Sequence, residues 1–261
     1  MSQFAKQLLA ILVLITLALF GFFFFQSKDM ANKGDTTATS TPQILSEEEA
    51  KELGISFDLE PETPAPVLGR PIVQLVGVDD NVFEIGKKAI DNLSKMIQES
   101  PFEYDLWIEW GNYHNILKDY SRAEEAWQYA ALIRPFQITA FINLGTLYER
   151  EYKQYVEAEK YYLEALDISP DQSTLHLRLF DLYALNLKEK RSEAATVLIT
   201  ALEQFPDNTE ILVKLARFLV EEGNFTGARQ YYTQAIDVAN KQGRADFATD
   251  LTDERNRVPR S

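Results

Sequence analysis

The sequence predicts an all-α solenoid of stacked antiparallel helix pairs, preceded by one N-terminal transmembrane helix. A composite residue pattern returns four times at spacings of 35, 36 and 34 residues, and an uncharged apolar run lies near the N-terminus. No long alternation of apolar and polar residues marks a sheet.

The first element is the apolar run. Between Lys6 and Lys28 lie 21 residues without charge, QLLAILVLITLALFGFFFFQS, so residues 7–27 read as the anchor. As a helix this stretch rises about 31 Å, close to the ~30 Å hydrocarbon core of a bilayer. A cleaved signal peptide is the rival reading, but its apolar region is usually about 7–15 residues and ends in a small-x-small site. Here the run is longer and ends in four Phe, and the nearest candidate site puts Asp29 where a small residue is wanted. Lys6 on one side faces Lys28 and Lys33 on the other, so flanking charge barely decides the orientation. The very short N-terminal tail and the Thr/Ser-rich stretch that follows favour N-in, C-out. The soluble part is then extracytoplasmic, with a bacterial inner or cytoplasmic membrane as the favoured location.

Residues 28–80 read as a linker. GDTTATSTPQ at 34–43 is poor in large apolar groups. Ser46 with Glu49 forms a capping box, and Gly54 supplies a stop, so the spacing predicts a short helix over 47–53. Its Glu47, Glu48 and Glu49 read as a solvated helix start favoured by the dipole, ahead of a metal patch. Pro61, Pro64, Pro66 and Pro71 hold the chain extended, and Ile72 to Val78 is apolar enough to lie along the first helix.

The repeats follow. An alanine, a large residue four on, an alanine seven on and a proline twelve on appear as Ala123, Trp127, Ala130 and Pro135. They return as Ala158, Tyr162, Ala165 and Pro170, then as Ala194, Leu198, Ala201 and Pro206. The fourth copy is Ala228, Tyr232 and Ala235, with Asn240 replacing proline. Upstream sits a second block on one helical face: Trp107, Trp110, Gly111, His114; Phe141, Leu144, Gly145, Tyr148; His176, Leu179, Phe180, Tyr183; Leu212, Leu215, Ala216, Leu219. Small residues let two antiparallel helices approach, large ones fill the space beside them, and each proline prevents continuation. The gap between the blocks is 9, 10, 11 and 9 residues, which places the insertions in the turn inside hairpins two and three. Phe180 stands where Gly or Ala is usual, so the third hairpin is expected to pack more loosely or with a shift.

This arrangement resembles the tetratricopeptide repeat family over about residues 104–242, with repeats at 104–137, 138–172, 173–208 and 209–242. Ala89, Leu93, Met96 and Pro101 match the second helix of a preceding half repeat at 81–103. Beyond Gly243, Phe247 and Leu251 mark one face of a capping helix within 243–261. The resemblance implies a right-handed superhelix whose first helices line a groove for extended peptides or partner helices. It carries the groove onto Ile108, Glu109 and Asn112; Ile142, Asn143 and Thr146; Leu177, Arg178 and Asp181; and Val213, Lys214 and Arg217. Family members that clamp a peptide carboxylate use a Lys/Asn/Asn/Lys/Arg set. Asn112, Asn143 and Arg178 match it, but Ile108 and Thr174 occupy the lysine positions. The groove then has apolar floor residues and a basic end of Arg178, Lys214 and Arg217.

Composition narrows the function. The net charge is −14, and beyond Lys33 there are 23 basic against 39 acidic residues, or about −16. Such a surface repels phosphate backbones, so nucleic acid is not an expected partner. With no cysteine there is no disulfide, thiolate nucleophile or thiolate metal site. His114 and His176 are the only histidines and fall on packing positions, and Gly223 and Gly227 only flank a turn. Asn92 and Asn224 begin formal glycosylation sequons, which matter only in a eukaryotic secretory setting. Neither a catalytic residue nor a metal or cofactor site is called for. The expected function is a membrane-tethered scaffold or assembly factor with protein or peptide partners, similar in layout to single-span envelope proteins of this repeat type. A homo-oligomeric scaffold and a non-catalytic docking subunit of an enzyme or translocation complex remain alternatives.

Overall fold

The computed structural model describes residues 63–260. The apolar run at 7–27 and the helix expected at 47–53 lie outside them. All regular elements among the described residues are helical, and no helix there is long and apolar enough to cross a membrane.

Helix α1 spans Asp80–Glu99, and Asp79 caps it by accepting the N–H groups of Asn81 and Val82. Four hairpins follow. Helices α2 (Tyr104–Ile116) and α3 (Tyr120–Ile133) form the first, α4 (Ile138–Leu147) and α5 (Tyr155–Ile168) the second. Helices α6 (Ser173–Asp181) and α7 (Arg191–Gln204) form the third, α8 (Thr209–Glu221) and α9 (Phe225–Lys241) the fourth. Helix α10 (Ala245–Arg257) packs on α9 with Leu251 fully buried and Phe247 half-buried.

The seam alanines Ala123, Ala130, Ala158, Ala165, Ala194, Ala201, Ala228 and Ala235 are all 0 % exposed. The small partners opposite them have a definite purpose. A Cβ on Gly111 would lie 2.5 Å from the Trp127 ring, and one on Gly145 would lie 2.5 Å from the Tyr162 ring. Each glycine therefore makes room for one aromatic. In the third hairpin Phe180 stands at the place of Gly111 and Gly145, with the smaller Leu198 at the place of the aromatics, and its ring meets Phe218 of the next repeat edge-on, with centroids 5.2 Å apart. That is the shift Phe180 implies.

The inserted residues extend helices instead of lengthening a loose turn. Helix α4 ends in a π turn, Tyr148–Tyr152, and α6 ends in another, Leu182–Asn186, followed by a 3₁₀ turn at Lys188–Lys190. In the first hairpin the closing bond runs five residues back, Asp119 N–H to the His114 carbonyl, at 2.8 Å. In the second, Gln154 N–H reaches six residues back to Tyr148 at 2.9 Å. One added residue has become one wider turn. The prolines act as stops: α3, α5 and α7 are each 14 residues long. Where Asn240 replaces proline, α9 runs on to 17.

Two expectations need correction. Helix α1 buries Phe83, Gly86, Ile90, Leu93 and Ile97, while Met96 is 50 % exposed, so its packing face is turned one residue from the repeat pattern. Among the described residues α1 packs chiefly on α2, and Gly86 fits against Leu117. The segment Ile72 to Val78 leaves Val73, Leu75 and Val76 exposed, with only Ile72 and Val78 half-buried, and the chain just before it is anchored on α3. Arg70 pairs with Glu125, and Arg122 donates to the Pro71 carbonyl at 2.9 Å.

The histidines do pack. His114 is fully buried, with Nδ1 3.1 Å from Asp119 Oδ2. His176 Nε2 lies 3.1 Å from the Pro170 carbonyl, six residues back. Trp107, at the equivalent place in repeat one, donates to the Pro101 carbonyl at 2.8 Å in the same way.

Candidate functional site

The first helix of each hairpin carries the residues expected to bind. On α2 Asn112 is exposed, and on α4 Ile142, Asn143 and Thr146 are half-buried. Arg178 and Asp181 on α6 and Lys214 on α8 are half-buried, while Arg217 is exposed. Ile108 and Leu177 are each only 8 % exposed and belong to the packed core.

Two hollows take in part of the set, while Ile142 and Arg178 border neither. A cavity of about 180 Å³ is bordered by Asn112, Asn143, Thr146, Trp127 and Arg150. Asn143 donates to the Asn112 carbonyl oxygen at 3.2 Å, so the two amides bond each other across the repeat boundary. Thr146 accepts weakly from the Tyr162 hydroxyl at 3.4 Å, whose shorter bond, 2.6 Å, goes to Glu149. Burial first, then that carboxylate, push the Tyr162 phenol up to about 12. A second cleft, of about 470 Å³, lies between α6, α8 and the start of α10. Phe180, Phe218, Leu185 and Phe247 make it apolar, and Asp181, Lys214 and Arg217 border it.

The expected basic end is largely neutralised. Lys214 Nζ lies 2.9 Å from Asp181, and the Arg217 guanidinium lies 2.7 Å from Glu254. That arginine draws the Glu254 carboxyl below its usual range. Arg178 makes no ion pair among the described residues, and its charge acts on Tyr162.

Comparison with known proteins fixes the repeat type: residues 138–172 and residues 187–246 match the tetratricopeptide repeat family. Tetratricopeptide repeats make up both stretches. No curated protein matches the chain. Among solved structures, that of MamA has a TM-score of 0.51 at 14 % identity, covering 66 % of this chain and 99 % of that one. YrrB, described as a TPR protein with an unusual peptide-binding site, has a TM-score of 0.45 at 19 % identity, covering 62 % and 90 %. PilF of Pseudomonas aeruginosa has a TM-score of 0.47 at 20 % identity, covering 66 % and 87 %. At such identity the likeness to MamA is one of fold: an all-helical solenoid of tetratricopeptide repeats.

The sequence did not mark Phe218, Leu185, Phe247 and Arg244 as cleft residues. Phe218 lies four after Lys214 on one helical face, so its place was open to inference. Leu185 borders the cleft from the π turn Leu182–Asn186. Phe247 serves both the capping helix and the cleft wall.

Proposed function

We propose that the chain is a membrane-tethered docking protein whose tetratricopeptide repeats hold a peptide or helix of a protein partner. The observation that carries this is the 470 Å³ cleft, where Leu185 remains 66 % exposed beside Phe180 and Phe218. Exposed apolar surface within a concavity is the usual mark of a binding site. The tether rests on the apolar run at 7–27, and the N-in, C-out orientation across a bacterial envelope membrane on the very short tail before it and the Thr/Ser-rich stretch after it. No chemistry is assigned. Both histidines are engaged in packing, and no group of acidic or histidine side chains among the described residues is placed to hold a metal.

A photo-crosslinking residue at Leu185, read in native membranes, should capture a partner that the same residue at Thr196, on the second helix, does not. Equal capture from both positions would refute docking in the cleft, and capture of a second copy would identify a homo-oligomer. For the tether, Leu14→Lys with Leu17→Lys should release the chain from carbonate-washed membranes, since each central charge costs about 2.5–3.5 kcal/mol. Retention would show that another part holds it.

A further inference from the structure

The cleft is apolar on its floor and cationic at one edge. Leu185, 66 % exposed, is its accessible apolar surface, while Phe180 and Phe218 form a buried edge-to-face pair beneath it with Lys214 and Arg191 over their rings. Most charges around it already have partners: Lys214 holds Asp181 at 2.9 Å, Arg217 holds Glu254 at 2.7 Å, and Arg191 holds Glu221 at 3.1 Å. Glu210 sits in the first turn of α8, where the helix dipole favours a carboxylate. Arg244 differs from all of these. Its guanidinium lies 4.2 Å from the centroid of the Phe247 ring and gives one N–H to Thr209 Oγ1 at 3.1 Å. Stacking and that bond fix the plane of the fork, yet no carboxylate among the described residues pairs with it. Most of its five N–H donors therefore remain available.

In a chain of net charge −14, the described cations that border the cleft are Lys214, Arg217 and Arg244, and the last alone has no carboxylate partner. Its geometry suits a carboxylate taken by two parallel N–H groups, the strongest arrangement open to arginine. Arg244 is exposed, so a side chain reaching out from a segment seated in the cleft would meet it. A chain terminus on the floor would meet the Lys214–Asp181 pair instead. Resting on the docking reading above, we infer that the cleft takes an extended peptide segment with an apolar side chain against Leu185 and a nearby aspartate or glutamate. The carboxylate of that residue pairs with Arg244. The apolar contact supplies affinity, and the ion pair sets which acidic sequences are accepted.

The test uses the full chain in detergent micelles and a random dodecapeptide library displayed on phage. Selected sequences should place Asp or Glu close to a large apolar residue. In a synthetic, C-terminally amidated copy of the best sequence, changing the acid to its amide should weaken binding at least tenfold, about 1.4 kcal/mol. On Arg244→Gln the same change should cost less than about twofold, because the partner group is gone. Arg244→Lys, which keeps the charge and loses the fork, should fall between, and unchanged helical melting of both variants would confirm an intact fold. Selection of neutral or basic sequences overturns the carboxylate inference, as does additivity of the peptide and Arg244 changes. A free C-terminus restoring the affinity of the amide peptide would also overturn it, by making the terminus the source. If the selected peptides bind Leu185→Asp as well as the wild type, they sit elsewhere and the docking reading itself falls. Absence of any selected peptide counts against both.

Discussion

His114 shows how one buried side chain can set a pH limit. It is fully buried against Trp110, ring centroids 4.0 Å apart, and its Nδ1 faces Asp119. Its Nε2 is buried with no hydrogen-bond partner among the described residues. Protonation would place a charged N–H there without an acceptor, a cost of about 1–3 kcal/mol for a buried unpaired group. Burial accordingly pulls the imidazole pKa below 6.5, only partly opposed by Asp119, while Arg122 and Arg70 press the same way as burial. The unfolded chain, whose imidazole titrates near 6.5, then binds the proton more readily than the folded one. Stability is therefore full above about 6.5 and is lost as pH falls below it toward the folded pKa. The urea midpoint should drop between about pH 7.5 and 5.5, and His114→Gln should flatten that slope even if it lowers the midpoint throughout. Equal slopes in the two proteins would assign the pH dependence to other groups.

At the scale of the element, the hairpin ends repeat a single solution with unequal residues. Gly223 and Gly243 close their helices at φ of 74° and 73°, where glycine carries no penalty, but Lys118 and Lys153 sit at 63° and 56°. A left-handed lysine is strained by about 1–2 kcal/mol, and glycine gives back part of that through its freer unfolded chain. Lys118→Gly and Lys153→Gly should each stabilise by roughly 0.5–1 kcal/mol in denaturant titrations. No gain would mean that the lysine side chains make up the difference. Such ends also mark where the sequence could be read and where it could not. The helices were legible because size alternates: Gly111 admits Trp127, Gly145 admits Tyr162, and the prolines stop three helices after 14 residues. The π turns were not. An extra residue in the gap fits a longer loop or a wider helical turn equally well, and only packing chooses between them. In the second hairpin that choice lets Tyr148 and Tyr152 both donate to Glu124 of the preceding repeat. The ion pairs of the cleft were hidden for a related reason. Asp181 lies 33 residues from Lys214, and Glu254 lies 37 from Arg217, separations that only the stacking of repeats brings together.

For the solenoid formed by residues 63–260, the buried core falls into two clusters that meet within the second hairpin. One runs from Phe83 to Leu147, the other from Ala158 to Val258. Half-buried residues such as Phe141, Ile142 and Tyr148 lean across from the first to the second. Part of the junction is polar, with Tyr162 donating to Glu149 and Tyr148 to Glu124. In a repeat array each unit contacts mainly its neighbours, so stability is close to a sum of local and interface terms. A defect in one cluster should therefore stay largely within it. Ala165 is fully buried in the seam between α4 and α5, inside the second cluster. An aspartate there buries a charge without a partner, a loss on the order of 4 kcal/mol or more. Ala165→Asp should strip amide-exchange protection from α5 through α10 while α1 to α3 keep most of theirs, because Trp107, Trp110 and Trp127 pack without help from that seam. The polar junction makes this outcome specific, since bonds to Glu149 and Glu124 can be exchanged for water at modest cost, whereas an apolar seam could not be opened so cheaply. Uniform loss of protection from α1 to α10 would refute the division and make the solenoid a single cooperative unit. Protection lost only in α4 and α5 would point the other way, to repeats that unfold one at a time.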